Sequence, residues 1–425
     1  VIMVFFHSRQ TVSGSLDLPT KLAIFTENAK TFLTKATIFY NLLVLLHTYM
    51  SGLYIHIPFC RSRCIYCGFF SSTSVSQKSA YVKALCRELS LRRHELRQPV
   101  HTVYLGGGTP SLLSREELNL LFQAISKDYF DGELSHRNAL EITMECNPDD
   151  VTVDFCNTLQ LLPVNRISMG VQTFSHDRLR FLHRRHNADE VGLAVQRLRQ
   201  AGIHNISIDL MFGFPNETLS EWHYDIDHAL QLDVEHISAY SLMYEEGTPL
   251  FQLLKQGKVS ETDEELYRCM FDLLIDELTN AGFEHYEISN FAKKGFRSIH
   301  NSNYWNGTPY IGIGAAAHSF NTSYRRWNVS NLSKYILSIS NRDLPYEEEA
   351  IDPNTRYDDT IVTALRTCEG INIENMDKRH KQYLLKQAEQ YLSTGLLQFR
   401  DNHLRLTRNG IYISDAIMAD LMWED

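Results

Sequence analysis

A chain of 425 residues with a formal charge of −10 and a pI near 6.0 is long enough for two or three domains, or for one large α/β domain with an appendage. The acidic balance excludes general nucleic-acid binding, which needs basic surface to displace counterions. Eight cysteines are too sparse for a disulfide framework, so the three that cluster point to metal or redox chemistry in a reducing compartment.

Residues 1–49 carry no motif. Their stretch ATIFYNLLVLL (36–46) is apolar for eleven residues, short of the roughly 18–20 that a membrane span needs. The length suits a signal-peptide core, but the stretch lies deep in the chain with no small-residue cleavage site after it. Met50 stands just before SGLYIHIPFC, where strong patterning begins. We therefore expect Met50 to be the start and 1–49 to be upstream sequence read in frame, with an amphipathic leader as the alternative.

From residue 53, short β-like runs recur, each followed by a helical pattern. The runs are LYIHI (53–57), TVYL (102–105), LEITME (140–145), RISMGV (166–171), ISIDLMF (206–212) and HISAYSL (236–242). Between them lie amphipathic stretches at Ala80–Leu96, Ser114–Lys127, Asp189–Gln200 and Ser220–Leu230. Strands alternating with helices make βαβ units and a parallel sheet. Six units in series over 50–282 predict an α/β fold, a partial (β/α)6 barrel, with function gathered where strands end and loops begin. Residues 283–354, rich in aromatics, His, Asn and Gly, read as a connecting segment. Residues 355–425 read as helices, a hairpin in LLQFRDNHLRLT turning at Asp401–Asn402, and a last helix. That is a winged-helix-like α+β module. It has no basic stripe, so packing on the barrel is its expected job.

Just after the first strand comes FCRSRCIYCGFF (59–70), with Cys60, Cys64 and Cys67 at offsets of four and three. Clustered thiolates are soft ligands for zinc or for iron–sulfur clusters. A structural zinc site wants four ligands, and His56 is the nearby residue that might complete one. A 4Fe–4S cluster on three cysteines instead leaves one iron open, where the amino and carboxylate groups of S-adenosylmethionine are suitable chelators. Cys86, Cys156, Cys269 and Cys368 lie singly on helical patterns and read as buried apolar thiols.

The pattern Cys60-x3-Cys64-x2-Cys67 after a strand, with Tyr66 before the last cysteine, resembles the radical S-adenosylmethionine (radical SAM) superfamily. Its flanks YIHIPFC, LGGGTPS, ECNPD, GVQTF and DLMFGFP together resemble oxygen-independent coproporphyrinogen III oxidase and its relatives, over about 50–425. The resemblance implies a 4Fe–4S cluster on the three cysteines and a set of cofactor contacts. Gly106, Gly107, Gly108 and Thr109 follow a strand, where bare backbone can approach the cofactor's amino group. Glu145 ends a strand and can hold ribose hydroxyls or the ammonium, while Cys146 should face away and be inert. Gln172 closes another strand. Arg184 can pair with the cofactor's carboxylate in bidentate fashion, and Asp209 is a further implied contact. The plain alternative for Arg184 and Asp209 is a barrel salt bridge. Tyr54 and Tyr66 are expected to pack on the cluster or the adenine.

Two departures separate relatives. The oxidase carries a further cysteine two residues beyond the triad, where this chain has Phe69. HNSNYW (300–305) resembles the HNxxYW signature of the HemW-type haem chaperones. Histidine is a common axial ligand of haem iron, and Tyr and Trp offer flat faces to a porphyrin. His300, Tyr304 and Trp305 are thus expected haem contacts, with His318 a second candidate ligand. The resemblance implies haem as cargo, handed to acceptors such as respiratory haemoproteins, and an electron donor such as flavodoxin or ferredoxin. A homodimer is left open, and the cytoplasm is the expected location, with transient contact at the inner membrane face. The alternative function is the oxidase itself, in which a radical drawn from the cofactor takes hydrogen from a porphyrinogen propionate and carbon dioxide leaves.

Overall fold

The computed structural model describes residues 50–134, 140–374 and 376–424. The expectations about residues 1–49 lie outside the described residues. The chain from Met50 onward forms one compact unit.

Six strands carry the parallel part of the sheet: β1 (Ser51–Ile57), β2 (Val100–Gly107), β3 (Glu141–Cys146), β4 (Arg166–Gln172), β5 (Asn205–Phe212) and β6 (His236–Ser241). Each pairs with the next in parallel register, as in Leu53↔Val103, Val103↔Ile142 and Met144↔Ile167. Side chains alternate across the pleat. One set (Leu53, Ile55, Val103, Leu105, Ile142, Met144, Ile167, Met169, Ile206 and Ile208) is buried in the main core with the helices. The other set (Tyr54, His56, Tyr104, Glu145, Ser168, Asp209, Ser238) is polar or aromatic and turns to the concave side. Nearly continuous burial explains why these segments read as apolar runs.

The crossover helices are α1 (Lys78–Arg92), α2 (Arg115–Tyr129), α3 (Val153–Leu159), the pair α4 (His176–Phe181) and α5 (Ala188–Gln200), and α6 (Leu219–Gln231). Capping boxes fix three of their starts: Ser114 with Glu117, Asn187 with Glu190 and Thr218 with Glu221. Such a cap is worth about 1 kcal/mol. After β6 come α7 (Pro249–Lys255) and α8 (Glu264–Asn280).

Residues 283–354 are more than the connecting segment expected. They form β7 (Glu284–Glu287), β8 (Asn290–Ala292), α9 (Ile299–Trp305), β9 (Tyr310–Ile313), β10 (His318–Asn321), β11 (Tyr324–Asn328), α10 (Leu332–Ser340) and β12 (Tyr346–Ala350). These strands widen the sheet to twelve, in the order β12-β11-β10-β9-β1-β2-β3-β4-β5-β6-β8-β7. β9 runs parallel to β1, and β8 antiparallel to β6.

The C-terminal module has its own core of Tyr357, Ile361, Leu384, Leu404, Ile417 and Leu421. It comprises α11 (Pro353–Ala364), β13 (Ile371–Asn372), α12 (Lys378–Ser393), β14 (Leu397–Arg400), β15 (His403–Leu406), α13 (Arg408–Ile411) and α14 (Ser414–Leu421). Asp401 and Asn402 take φ of 53° and 60°, the left-handed pair that a two-residue hairpin turn requires. The module docks on the barrel. Arg408 reaches Asp272 and Asp276 on α8, each at 2.5 Å, and Cys368 N–H donates to the Tyr286 carbonyl at 3.0 Å. Cys368 is therefore exposed on a loop after α11, not a buried helical thiol, and Cys86 and Cys269 are only half-buried. Among the described residues no helix is long and apolar enough to cross a membrane.

Candidate functional site

The cysteine loop begins where β1 ends and is fastened at both shoulders. Ser72 N–H donates to the Pro58 carbonyl (2.6 Å), and Cys60 N–H to the Ser72 carbonyl (3.0 Å). Its middle is pinned by Ile65, buried among Leu182, Met211, Phe214, Leu242 and Leu250. The three half-buried thiols line one cleft of about 160 Å³ with Gly107, Gly108, Thr109, Asn147 and Arg184. Burial pushes the Cys60 and Cys67 thiols up. Thr109 Oγ1, 3.7 Å from Cys60 Sγ, opposes that trend at Cys60, and Arg184 Nη1 donates to Cys64 Sγ at 3.6 Å.

The zinc alternative loses its fourth ligand here. His56 Nε2 lies 3.0 Å from the Phe70 carbonyl, which only accepts, so Nε2 holds the proton and Nδ1 accepts from Tyr54 Oη at 2.9 Å. Burial lowers the pKa of this imidazole and keeps it neutral. Among the described residues no group of three or more His, Cys, Asp or Glu side chains is gathered to hold a metal ion. The donor set, three thiols around one cleft without a fourth protein ligand, fits a cube with an open corner better than a single tetrahedral ion.

The glycine triplet fits against this loop. Gly107 has φ +106°, and a Cβ there would stand 2.4 Å from the His56 ring; at Gly108 it would stand 2.7 Å from the Ile57 carbonyl oxygen. The triplet's bareness therefore serves the packing of the end of β2 against the end of β1. Gly107 N–H is already spent on Glu145 Oε2 at 3.0 Å.

Glu145 also accepts from Tyr104 Oη at 2.8 Å, and burial lifts its pKa to about 7. Asp209 accepts from Ser168 Oγ at 3.4 Å and is raised to about 6, again by burial. Gln172 sits at a β-bulge with φ +70°, strained for a residue with a side chain. Arg184 donates through Nη2 to Asn147 Oδ1 (2.6 Å) and the Gly170 carbonyl (2.5 Å), while its buried Nε has no partner among the described residues. Neither Arg184 nor Asp209 forms a salt bridge there, so the plain alternative fails for both. Tyr66 lies beside Arg184, Cys64 and Cys67. Tyr54 is deeper, against Tyr104 and His300, and is hydrogen-bonded to His56, which in turn holds the Phe70 carbonyl.

HNSNYW lands at the other end of the barrel. It forms α9, whose first N–H groups are capped by Glu141 at the start of β3: Ile299 N donates at 2.9 Å and His300 N at 2.8 Å. His300 is 1% exposed, with Nδ1 2.8 Å from Thr102 Oγ1 and Nε2 2.9 Å from Tyr304 Oη. Burial drives its pKa down to about 3. Both ring nitrogens are spent on protein partners, and the ring lies buried at this end of the barrel. Trp305 is half-buried, and its Nε1 is buried without a partner among the described residues. His318 differs. It is exposed at the start of β10, stacks on Trp327 (centroids 6.2 Å apart), and has no ring hydrogen bond among the described residues.

A model of the Radical SAM superfamily matches residues 54–229, and one of the HemN C-terminal domain matches 351–413. The heme chaperone HemW of Bacillus subtilis is 33% identical over 383 residues, covering 88% of this chain and 100% of that relative. This chain belongs to the HemW family. The heme chaperone HemW of Lactococcus lactis is 32% identical over 88% of this chain and 97% of its own length. Radical S-adenosyl methionine domain-containing protein 1, mitochondrial, of Danio rerio is 28% identical over 89% of this chain and 88% of its own. In fold, the coproporphyrinogen III oxidase HemN of Escherichia coli superposes with a TM-score of 0.74 at 20% identity, covering 88% of this chain and 91% of that one.

Within this HemW-family chain, Phe69 stands on the rim of the thiol cleft and is 70% exposed. Its neighbour Gly68 lies so close to Glu245 that a Cβ would stand 1.8 Å from Oε2. A wider groove of about 690 Å³, between α4 and α6, holds none of the expected site residues. Residues that the sequence did not single out are Asn147, which orients Arg184, and Glu141 and Thr102, which hold α9. Asn147 alone had a signal, inside the ECNPD motif.

Proposed function

We propose that this chain binds haem and hands it to haem-accepting proteins, with a 4Fe–4S cluster on Cys60, Cys64 and Cys67 and S-adenosylmethionine beside it. The full-length likeness to a heme chaperone HemW, with Phe69 in place of the oxidase's extra cysteine, carries this reading. When bound, the cluster supplies an electron to a sulfonium cofactor chelated at its open corner. The chain's own groups do the holding. Arg184, whose Nε has no partner among the described residues, faces the cofactor's carboxylate. Glu145 and Asp209 serve its hydroxyls and amino group, Gly107, Gly108 and Thr109 line the wall, and Gln172 and Tyr66 close the sides. Tyr54 acts indirectly, by fixing His56.

For haem, the exposed His318 on Trp327 is better supported as iron ligand than His300, whose ring is saturated, with Tyr304 and Trp305 shaping the floor. Proposed partners are respiratory haemoproteins, a flavodoxin or ferredoxin donor, and a second copy of the chain, with no nucleic acid. The proposed setting is the cytoplasm, with contact at the inner membrane face.

The second reading, porphyrinogen oxidation, is supported by the fold shared with HemN. One experiment separates the two. Anaerobically reconstituted protein is given coproporphyrinogen, S-adenosylmethionine and reductant, and is separately titrated with haem. Haem binding seen as a Soret shift, without turnover, is expected. Protoporphyrinogen formed at useful rates would overturn the chaperone reading.

A further inference from the structure

The concave face of the barrel holds a cation that the site above does not use. Arg166, the first residue of β4, is 1% exposed, and its Nε and Nη1 have no hydrogen-bond partner among the described residues. It forms no ion pair within 4.0 Å there either. Its neighbours in register, Thr143 on β3 and Asn205 on β5, also carry a buried polar atom without a partner. A buried guanidinium left unpaired is costly, and folds retain such a group where it serves a purpose other than stability.

Further along the lumen than Arg166 stand Glu145, in register with Ser168, and Asp209, in register with Gly170, and its charge opposes the burial that raises both carboxyl pKa values. The two carboxyls repel each other, Ser238 on β6 donates to Asp209, and the other titratable groups acting on the pair include Tyr54 from β1, Tyr104 from β2, Cys146 from β3, Tyr240 from β6, Tyr304 from α9 and Arg184 from the loop after α4. The tyrosines are held neutral by burial. His236 and His300 also feel Arg166 and are kept neutral, so they add no positive charge. We propose that Arg166 is a positioning residue for the sulfonium cofactor, its unpaired charge across the lumen keeping Glu145 and Asp209 ionised to receive the cofactor's hydroxyls and amino group. This rests on the reading above that these carboxylates face S-adenosylmethionine.

The test is S-adenosylmethionine binding by full-length, anaerobically reconstituted protein, measured by calorimetry from pH 6 to 8.5 and paired with thermal melts. Removing the charge in Arg166→Met raises both carboxyl pKa values. The acid limb of binding then moves up by about one pH unit, which is about tenfold weaker binding on that limb, with affinity recovering at the alkaline end. Because the lost cation had no partner, the melting temperature holds or rises. Arg166→Lys keeps the wild-type pH profile, and Arg166→Gln repeats the shift should the Met variant fold poorly. An unmoved limb, or a uniform loss of affinity across pH together with a lower melting temperature, would overturn the proposal and leave Arg166 a structural residue. Failure of the wild-type protein to bind the cofactor at any pH would instead sink the reading on which it rests.

Discussion

The rim and the floor of the barrel use similar residue types to opposite ends. At the rim stand three half-buried thiols, an arginine whose Nε has no partner among the described residues, and an exposed phenylalanine beside them. At the floor, the His300 ring is matched on both nitrogens and α9 is capped by Glu141. Two equally conspicuous sequence motifs thus part company in space. One lines an open cleft with its thiols, and the other has both nitrogens of its histidine ring hydrogen-bonded at the opposite end.

The sharpest break in that contrast is at the rim. Cys64→Ala is expected to abolish the iron–sulfur absorbance of reconstituted protein, while circular dichroism stays native, because Ile65 and the shoulder bonds hold the loop. Next in size is the pair of histidine variants. His318→Ala is expected to weaken haem binding at least tenfold in a Soret titration. His300→Ala should keep the titration but lose about 2–4 kcal/mol of stability in chemical denaturation, since it strands two hydrogen-bond partners and opens a cavity. The reverse pattern would restore the floor as the haem site. Glu141→Gln weakens the charged cap on α9 and should cost about 1–2 kcal/mol, read by the same denaturation.

The smallest effect is a titration. Glu145 has a folded pKa of about 7 against an ordinary 4.5. Between those values the folded chain keeps a proton that the unfolded chain has released, so stability falls as pH rises through this window. The slope should flatten in Glu145→Gln, by about 1 kcal/mol over the window because Glu145 is partly open to the lumen. Denaturant midpoints at pH 5 and pH 7.5 check it.

The six parallel strands were legible because strands covered on the helix side write an apolar run into the chain, and the helices between them because their caps are spelled out in sequence. The widening of the sheet by β9–β12 was not. YIGI, HSFN and YRRWN are only four or five residues long, and HSFN and YRRWN mix buried with part-exposed polar positions, so they carry little apolar signal. The thiols were legible because three soft ligands at fixed spacing have few other uses. The role of His300 was hidden, because its partner Thr102 lies 198 positions away. Arg166 opens the strand that leads into GVQTF but lies outside that motif, and nothing in the sequence separates a buried arginine from a surface one.

The central claim is that three cysteines hold an iron–sulfur cube whose fourth corner is free for the sulfonium cofactor. Mössbauer spectroscopy of protein reconstituted with isotopically labelled iron, with and without S-adenosylmethionine, tests it most directly. The account predicts that one iron in four has a signal of its own and that the cofactor shifts that signal alone. A cube whose irons all ignore the cofactor, or a protein that takes up a single zinc ion in its place, would contradict it.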